Sequence, residues 1–283
     1  MKRISARLSQ RISDWLHLDT LRAKLQLAVA LLMVGSLVLT LLFYTVSTNL
    51  TQTRLLSAET ATETVQITEA LQARANALRS ATRLLAADPQ IADAIDLDSE
   101  EALQTLNARA VLVRDRFSAG MVQIYNAEGD ARTNLLLSSL YRESSLLDQI
   151  APGEVKVSAL GEDVILFSRE NLSEGGGTVI TGVDLKKELN NLVRQYRLAA
   201  DVGIVLPPAS GSPPTDAPKI STFEDAGFPF DVREGRSSRY YSQHTDLTLG
   251  NSTLQLVVLR GTSDIRSISA LGLAVMTLSL VIT

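Results

Sequence analysis

The sequence predicts an α/β (α+β) chain: a long N-terminal helix, an antiparallel sheet module and a second, smaller α/β module, flanked by transmembrane helices. Three observations lead there. An uncharged run of 29 residues separates Lys24 from Arg54. Residues 48–87 contain neither Gly nor Pro. After Gly120 the apolar residues switch from helical spacing to short alternating runs divided by Gly, Asp and Ser clusters.

Within the uncharged run, Leu25 to Val46 is largely apolar. At about 1.5 Å per residue it reaches across a hydrocarbon layer of roughly 30 Å. A secretory signal would have a shorter apolar region and a small-residue exit, whereas Phe43 is followed here by Tyr44, Thr45, Val46, Ser47 and Thr48. The preceding flank carries Lys2, Arg3, Arg7, Arg11, Arg22 and Lys24 against Asp14 and Asp19, so the N-terminus is expected in the cytoplasm. Residues 1–24 also space Ile4, Leu8, Ile12, Trp15 and Leu16 among basic side chains. That suits a helix lying on the inner leaflet as well as it suits a plain basic flank. Ser267 to Thr283 is again uncharged and is expected to begin a second transmembrane helix, which would leave residues 48–266 outside the cell membrane.

Composition removes several function classes. Beyond residue 24 the chain has 21 basic and 29 acidic side chains, a net charge of −8 that argues against nucleic acid as a partner. It has no cysteine, hence no disulfide framework, thiolate nucleophile or cysteine metal site. No Gly-x4-Gly-Lys-Ser/Thr phosphate loop occurs. The two histidines, His17 and His244, fall on opposite sides of the membrane in this topology.

The outer region opens with helix. Ile67, Leu71, Ala75, Leu78, Ala81 and Leu85 step at an average near 3.6, an amphipathic face for packing on the chain's own domain. A strict heptad count from Leu71 places Arg74 in the seam, which weighs against a dimer stalk without removing it. Asp88-Pro89 starts a short helix to Ile95. Asp98 with Glu101 has capping-box spacing and opens a helix to about Ser118, with Leu103, Leu106, Ala110, Val113 and Phe117 on one face.

Strands follow at Met121–Asn126 and Ala131–Leu136, forming a hairpin around Ala127-Glu128-Gly129-Asp130. After a short helical or irregular piece (Tyr141 to Ile150) come strands at 154–159, 164–169 and 178–184, so that five strands make a meander. Gly175-Gly176-Gly177 lies between strands with no helix after it, a loop rather than an anion cradle. A helix at 185–198, a strand at 202–206, a loop at 207–219 holding five of the eight prolines, and strands at 238–246 and 253–260 complete the chain.

Two stretches carry a resemblance. Leu84-Leu85-Ala86-Ala87-Asp88-Pro89-Gln90-Ile91 with its following helix, and Met121-Val122-Gln123-Ile124-Tyr125-Asn126-Ala127-Glu128-Gly129-Asp130, resemble the opening of a Cache-type sensor domain in the double-Cache arrangement. The resemblance implies a PAS-like sheet that binds a small molecule, a smaller membrane-proximal module, a long helix joining both, and a homodimer. It implies the sensor region of a bacterial receptor of the histidine kinase, nucleotide cyclase or chemoreceptor type. The expected divisions are a cytoplasmic segment (1–24), a transmembrane helix (25–46), the long helix and those after it (48–118), a distal sheet module (119–185), a proximal module (186–266) and a second membrane helix (267–283). The chain lacks the Tyr and Arg-Trp-Tyr pattern of amino-acid-binding members, and Trp15 is its only tryptophan.

No catalytic constellation, metal set or cofactor motif is visible; the apolar run implies the lipid bilayer as a partner, and the resemblance implies a small ligand or a binding protein and a second copy. Tyr125, Arg132, Tyr141, Arg142, Arg169 and Asp184 are the candidate ligand residues, each with an ordinary salt-bridged or solvated role as its alternative. An envelope scaffold without a small ligand is the rival function.

Overall fold

The computed structural model of the chain describes residues 21–133, 150–160, 163–174, 176–208, 217–222, 227–237 and 239–262. The irregular piece at 141–149, the tip of the proline-rich loop and the second membrane run lie outside them.

Helix α1 (Leu21–Ala86) is one uninterrupted helix of 66 residues. Its apolar N-terminal part holds an 18-residue window of mean hydropathy 2.5, none of it buried, and is long and apolar enough to cross a membrane. Thr40, Thr45, Thr48, Thr51 and Thr53 return their hydroxyls to carbonyls one turn back, so these polar side chains leave no bare donor on the helix surface. Of the described residues, those up to Leu55 belong to one compact unit and those from Leu56 on to a second.

In that second unit the expected face of α1 is the buried one: Ile67, Leu71, Leu78 and Ala81 are fully enclosed, with Ala75 and Leu85 nearly so. Helix α2 (Pro89–Ala94) begins as expected, with the Asp88 carboxylate accepting from Gln90 N at 3.0 Å and Pro at the first position. Helix α3 (Glu100–Phe117) is capped by Ser99, whose Oγ accepts from Ala102 N at 3.2 Å. The expected capping box does not form: the cap moves one residue on, to Ser99, whose third helical position is Ala102, and Asp98 instead pairs with Arg132 at 2.6 Å. Ser118 closes α3 in the left-handed conformation at φ 52.

Two antiparallel sheets follow. The first contains β1 (Met121–Tyr125), β2 (Val155–Leu160), β3 (Asp163–Asn171) and β4 (Thr178–Asp184) in the order β1-β4-β3-β2. The meander expected from the sequence holds for β2, β3 and β4, but β1 pairs with β4, Met121 opposite Gly182. Of the expected 121–136 hairpin, the described residues show a single bridge, Tyr125 to Ala131. Helix α4 (Leu185–Tyr196) leads to the second sheet: β5 (Asp201–Val205), β6 (Lys219–Ser221), β7 (Gly235–Arg236), β8 (Tyr240–Leu249) and β9 (Ser252–Gly261), ordered β6-β5-β9-β8-β7. Strands β6 and β7 were not expected; at three and two residues they are too short to show an alternation.

One main core joins α1, α2, α3, α4 and a face of each sheet, from Ile67 and Leu106 through Val122, Leu166 and Val179 to Val202, Leu247 and Leu256. Within it Thr82 and Thr181 share a buried hydroxyl hydrogen bond of 2.7 Å, tying α1 to β4. The sheets also touch directly. The β8–β9 hairpin turns through Gly250 and Asn251, and Asn251 N donates to Val155 O of β2 at 2.9 Å, while Val157 N donates to Ser252 Oγ at 2.9 Å.

Candidate functional site

Alternation along the strands gives the first sheet two faces. One enters the main core. The other carries a separate apolar cluster of Met121, Tyr125, Ile165, Phe167 and Ile180, joined by Ile150. Register places polar side chains among them: Gln123 stands opposite Ile180, which stands opposite Arg169. Tyr125 lies in the next row, opposite Thr178, and Asp184 lies opposite Ile165. Gly182 stands opposite both Met121 and Phe167, and a Cβ there would come within 3.0 Å of Phe167 Cδ1 and 3.1 Å of Met121 Cε. A glycine at this point lets the two side chains close over the sheet.

Three of the six expected residues thus share this face. Tyr125 is almost fully enclosed, and its hydroxyl donates to Gln123 Oε1 at 2.5 Å. Arg169 donates from Nη1 to Ile150 O at 2.7 Å, at the border of the cluster. Asp184 is buried, and its Oδ1 accepts from Lys186 N at 2.9 Å and Lys187 N at 3.1 Å, which makes it the N-cap of α4. Arg132 goes elsewhere: its guanidinium binds the Asp98 carboxylate and the Leu97 carbonyl between α2 and α3. Tyr141 and Arg142 lie outside the described residues. Gln123 was not among the expected residues, although its place between Met121 and Tyr125 in an alternating strand carried the signal.

Burial pushes the Tyr125 phenol from its ordinary 10.0 up to about 12. The native phenol therefore keeps its proton to higher pH than a tyrosine of the unfolded chain. Unfolding releases that proton between these values, so stability falls as pH rises through the window. Tyr125→Phe is expected to remove a loss of about 2 to 3 kcal/mol between pH 9.5 and 12. Thermal unfolding of both proteins across that range checks it; parallel curves would mean that the phenol is not desolvated.

Chemically the face offers an apolar floor, a buried amide and phenol joined to each other, and a guanidinium at its margin. That combination can hold a small molecule with an apolar body and an acceptor group. Among the described residues no group of three or more His, Cys, Asp or Glu could hold a metal ion.

No protein-family model matches the sequence, and no curated protein matches it. Solved structures do match the fold. The periplasmic domain of Vibrio cholerae LuxQ superposes with a TM-score of 0.51 at 15% identity, covering 71% of this chain and 99% of that one. A domain of a sensory box/GGDEF family protein from Vibrio parahaemolyticus gives 0.50 at 8% identity, covering 75% and 99%. The chain has the fold of these domains, the double-Cache fold. An extracellular domain assigned to a histidine kinase gives the same TM-score of 0.50 at 8% identity, covering 76% of this chain and 95% of that one. At such identities the likeness is one of fold. The two sheets meet in one core, to which α1 contributes its buried face.

Proposed function

We propose that this chain is the sensor region of a bacterial transmembrane receptor: residues 48–266 lie outside the cell membrane, bind a small ligand on the second face of the first sheet, and signal through α1. The observation that carries this reading is the double-Cache fold built on a helix that continues without a break into an apolar segment of membrane-crossing length. The N-terminus is cytoplasmic in this reading. Exposed Leu55 and Val65 on α1 support pairing with a second copy.

The signal has a physical route. Arg260, near the end of β9, forms ion pairs with Glu59 Oε2 at 3.0 Å and Glu63 Oε1 at 3.3 Å, one turn apart on α1. Glu63 Oε1 also accepts from Ala199 N, after α4. A ligand that binds one arrangement of the first sheet better than another biases this linkage by its differential affinity alone.

The test is ligand-induced thermal stabilisation of the full chain in detergent against a panel of metabolite carboxylates and amines. A ligand present at 100 times its Kd adds about 2.7 kcal/mol. Arg169→Ala is expected to remove the stabilisation by carboxylates while leaving the unliganded chain folded. A ligand whose effect survives both this variant and Gln123→Ala binds elsewhere, and the site assignment then fails.

A further inference from the structure

A second feature lies apart from the sheet face. Helices α2 and α3 pack against each other and leave an open groove of about 330 Å³ between them, lined by Gln90, Asp93, Ala94, Leu97, Glu101 and Thr105. Its floor is apolar, with Ala94 and Ala102 buried, and Leu97 stands 54% exposed beside it. The surrounding charge is mainly acidic, with the Arg109 guanidinium on Gln90 as the cation at its edge. Residues 84–108 hold six carboxylates and no Lys or Arg. Asp88 is paired with Arg109, and Asp98 with Arg132. Asp93, Asp96, Glu100 and Glu101 have no cationic partner among the described residues.

Helix stability accounts for part of this. Glu100 and Glu101 occupy the first turn of α3, where the helix dipole favours them. Asp93 and Asp96 gain nothing of the kind, standing in the last turn of α2 and just beyond it. Like charges crowded around a groove of mixed polar and apolar lining repel one another beside an exposed Leu97, and an occupant that is both cationic and apolar would relieve both costs. The shape decides which occupant. A small-molecule site encloses most of its ligand, whereas this groove is open along its length and its exposed leucine asks for an apolar side chain in the same ligand that brings the charge.

We propose that the α2–α3 groove is a docking surface for a basic segment of a partner protein, with an apolar side chain laid on Leu97 and Lys or Arg side chains meeting Asp93 and Glu101. The two helices turn their other sides, Ile91, Ile95 and Leu106, into the main core, so the groove and the ligand face of the sheet are separate surfaces.

The test uses the full chain in detergent and a fluorescent synthetic peptide with four lysines around one leucine, at low salt. Saturable binding is expected, weakened about tenfold by Asp93→Asn with Glu101→Gln, weakened also by Leu97→Ser, and absent for the lysine-acetylated peptide. Asp231→Asn with Glu234→Gln removes equal charge from a distant exposed loop and should change little. The proposal is overturned if the peptide fails to bind at millimolar concentration, or if the distant pair of substitutions weakens it as much as the groove pair. It is overturned equally if spermidine binds with the same sensitivity to Asp93 and Glu101 and none to Leu97, which would make the groove a small-cation site.

Discussion

Gly250→Ala is expected to lower the midpoint of thermal unfolding of the full chain by about 8 °C. Gly250 sits at the apex of the β8–β9 hairpin with φ +58, a conformation that costs an L-residue about 1 kcal/mol. A Cβ at that position would stand 2.1 Å from Val155 O and 2.7 Å from Val155 Cβ, inside the backbone of β2. The hairpin tip must then withdraw, loosening the Asn251 N to Val155 O hydrogen bond, at a further cost of about 2 kcal/mol. For a domain of this size each kcal/mol moves the midpoint by about 2 to 4 °C. Gly153→Ala is the control: it has φ +82 but open space around it, so it carries the conformational cost alone, about 3 °C. Equal shifts for the two variants would show that the hairpin tip is not seated on β2.

The second large effect is expected at Arg74. Its Nη1 and Nη2 donate to Phe117 O at 2.6 Å and Ser118 O at 2.7 Å, supplying donors to the C-terminal end of α3. Its Nε lies 3.3 Å from Glu188 Oε1 of α4, and the two side chains are only 13% and 17% exposed. Arg74→Ala leaves those carbonyls bare and a carboxylate unpaired in a largely dry setting, at a cost of about 3 kcal/mol. Glu188→Gln should cost less, and the double variant should recover part of the loss of Arg74→Ala. Chemical denaturation of the four proteins measures the coupling, and strictly additive losses would count against the ion pair. Arg74→Lys should not rescue, since one ammonium cannot span three acceptors on two elements.

Arg74 also marks the boundary of what the chain reveals before it folds. Periodicity alone located the buried face of α1, because a 3.6-residue repeat records which side meets the core. A strict heptad count from Leu71 flagged Arg74 as a misfit, but its partners lie in α3 and α4, and no local pattern names them. The pairing of β1 with β4 was hidden for the same reason: β1 and β4 are separated by β2 and β3, while sequence patterns favour the nearest strand. Ser99 and Asp98 are both good caps, and the choice between them was made by Arg132, 34 residues away. In the candidate site, Tyr125 and Arg169 were legible as polar residues in strands, yet Gln123 acquires meaning only once the register sets it in a row with Ile180 and Arg169.

The shared core has a consequence for how the molecule comes apart. Apolar side chains of both sheets and four helices belong to one contiguous cluster, so neither sheet keeps its inner face dry without the other. Local melting of one sheet would wet the flank of α1 that serves both, which couples their protection against solvent. Evolution or engineering cannot then treat the sheets as exchangeable cassettes: a replacement for either must arrive with a matching half of the helix, or the region unfolds as a single cooperative block.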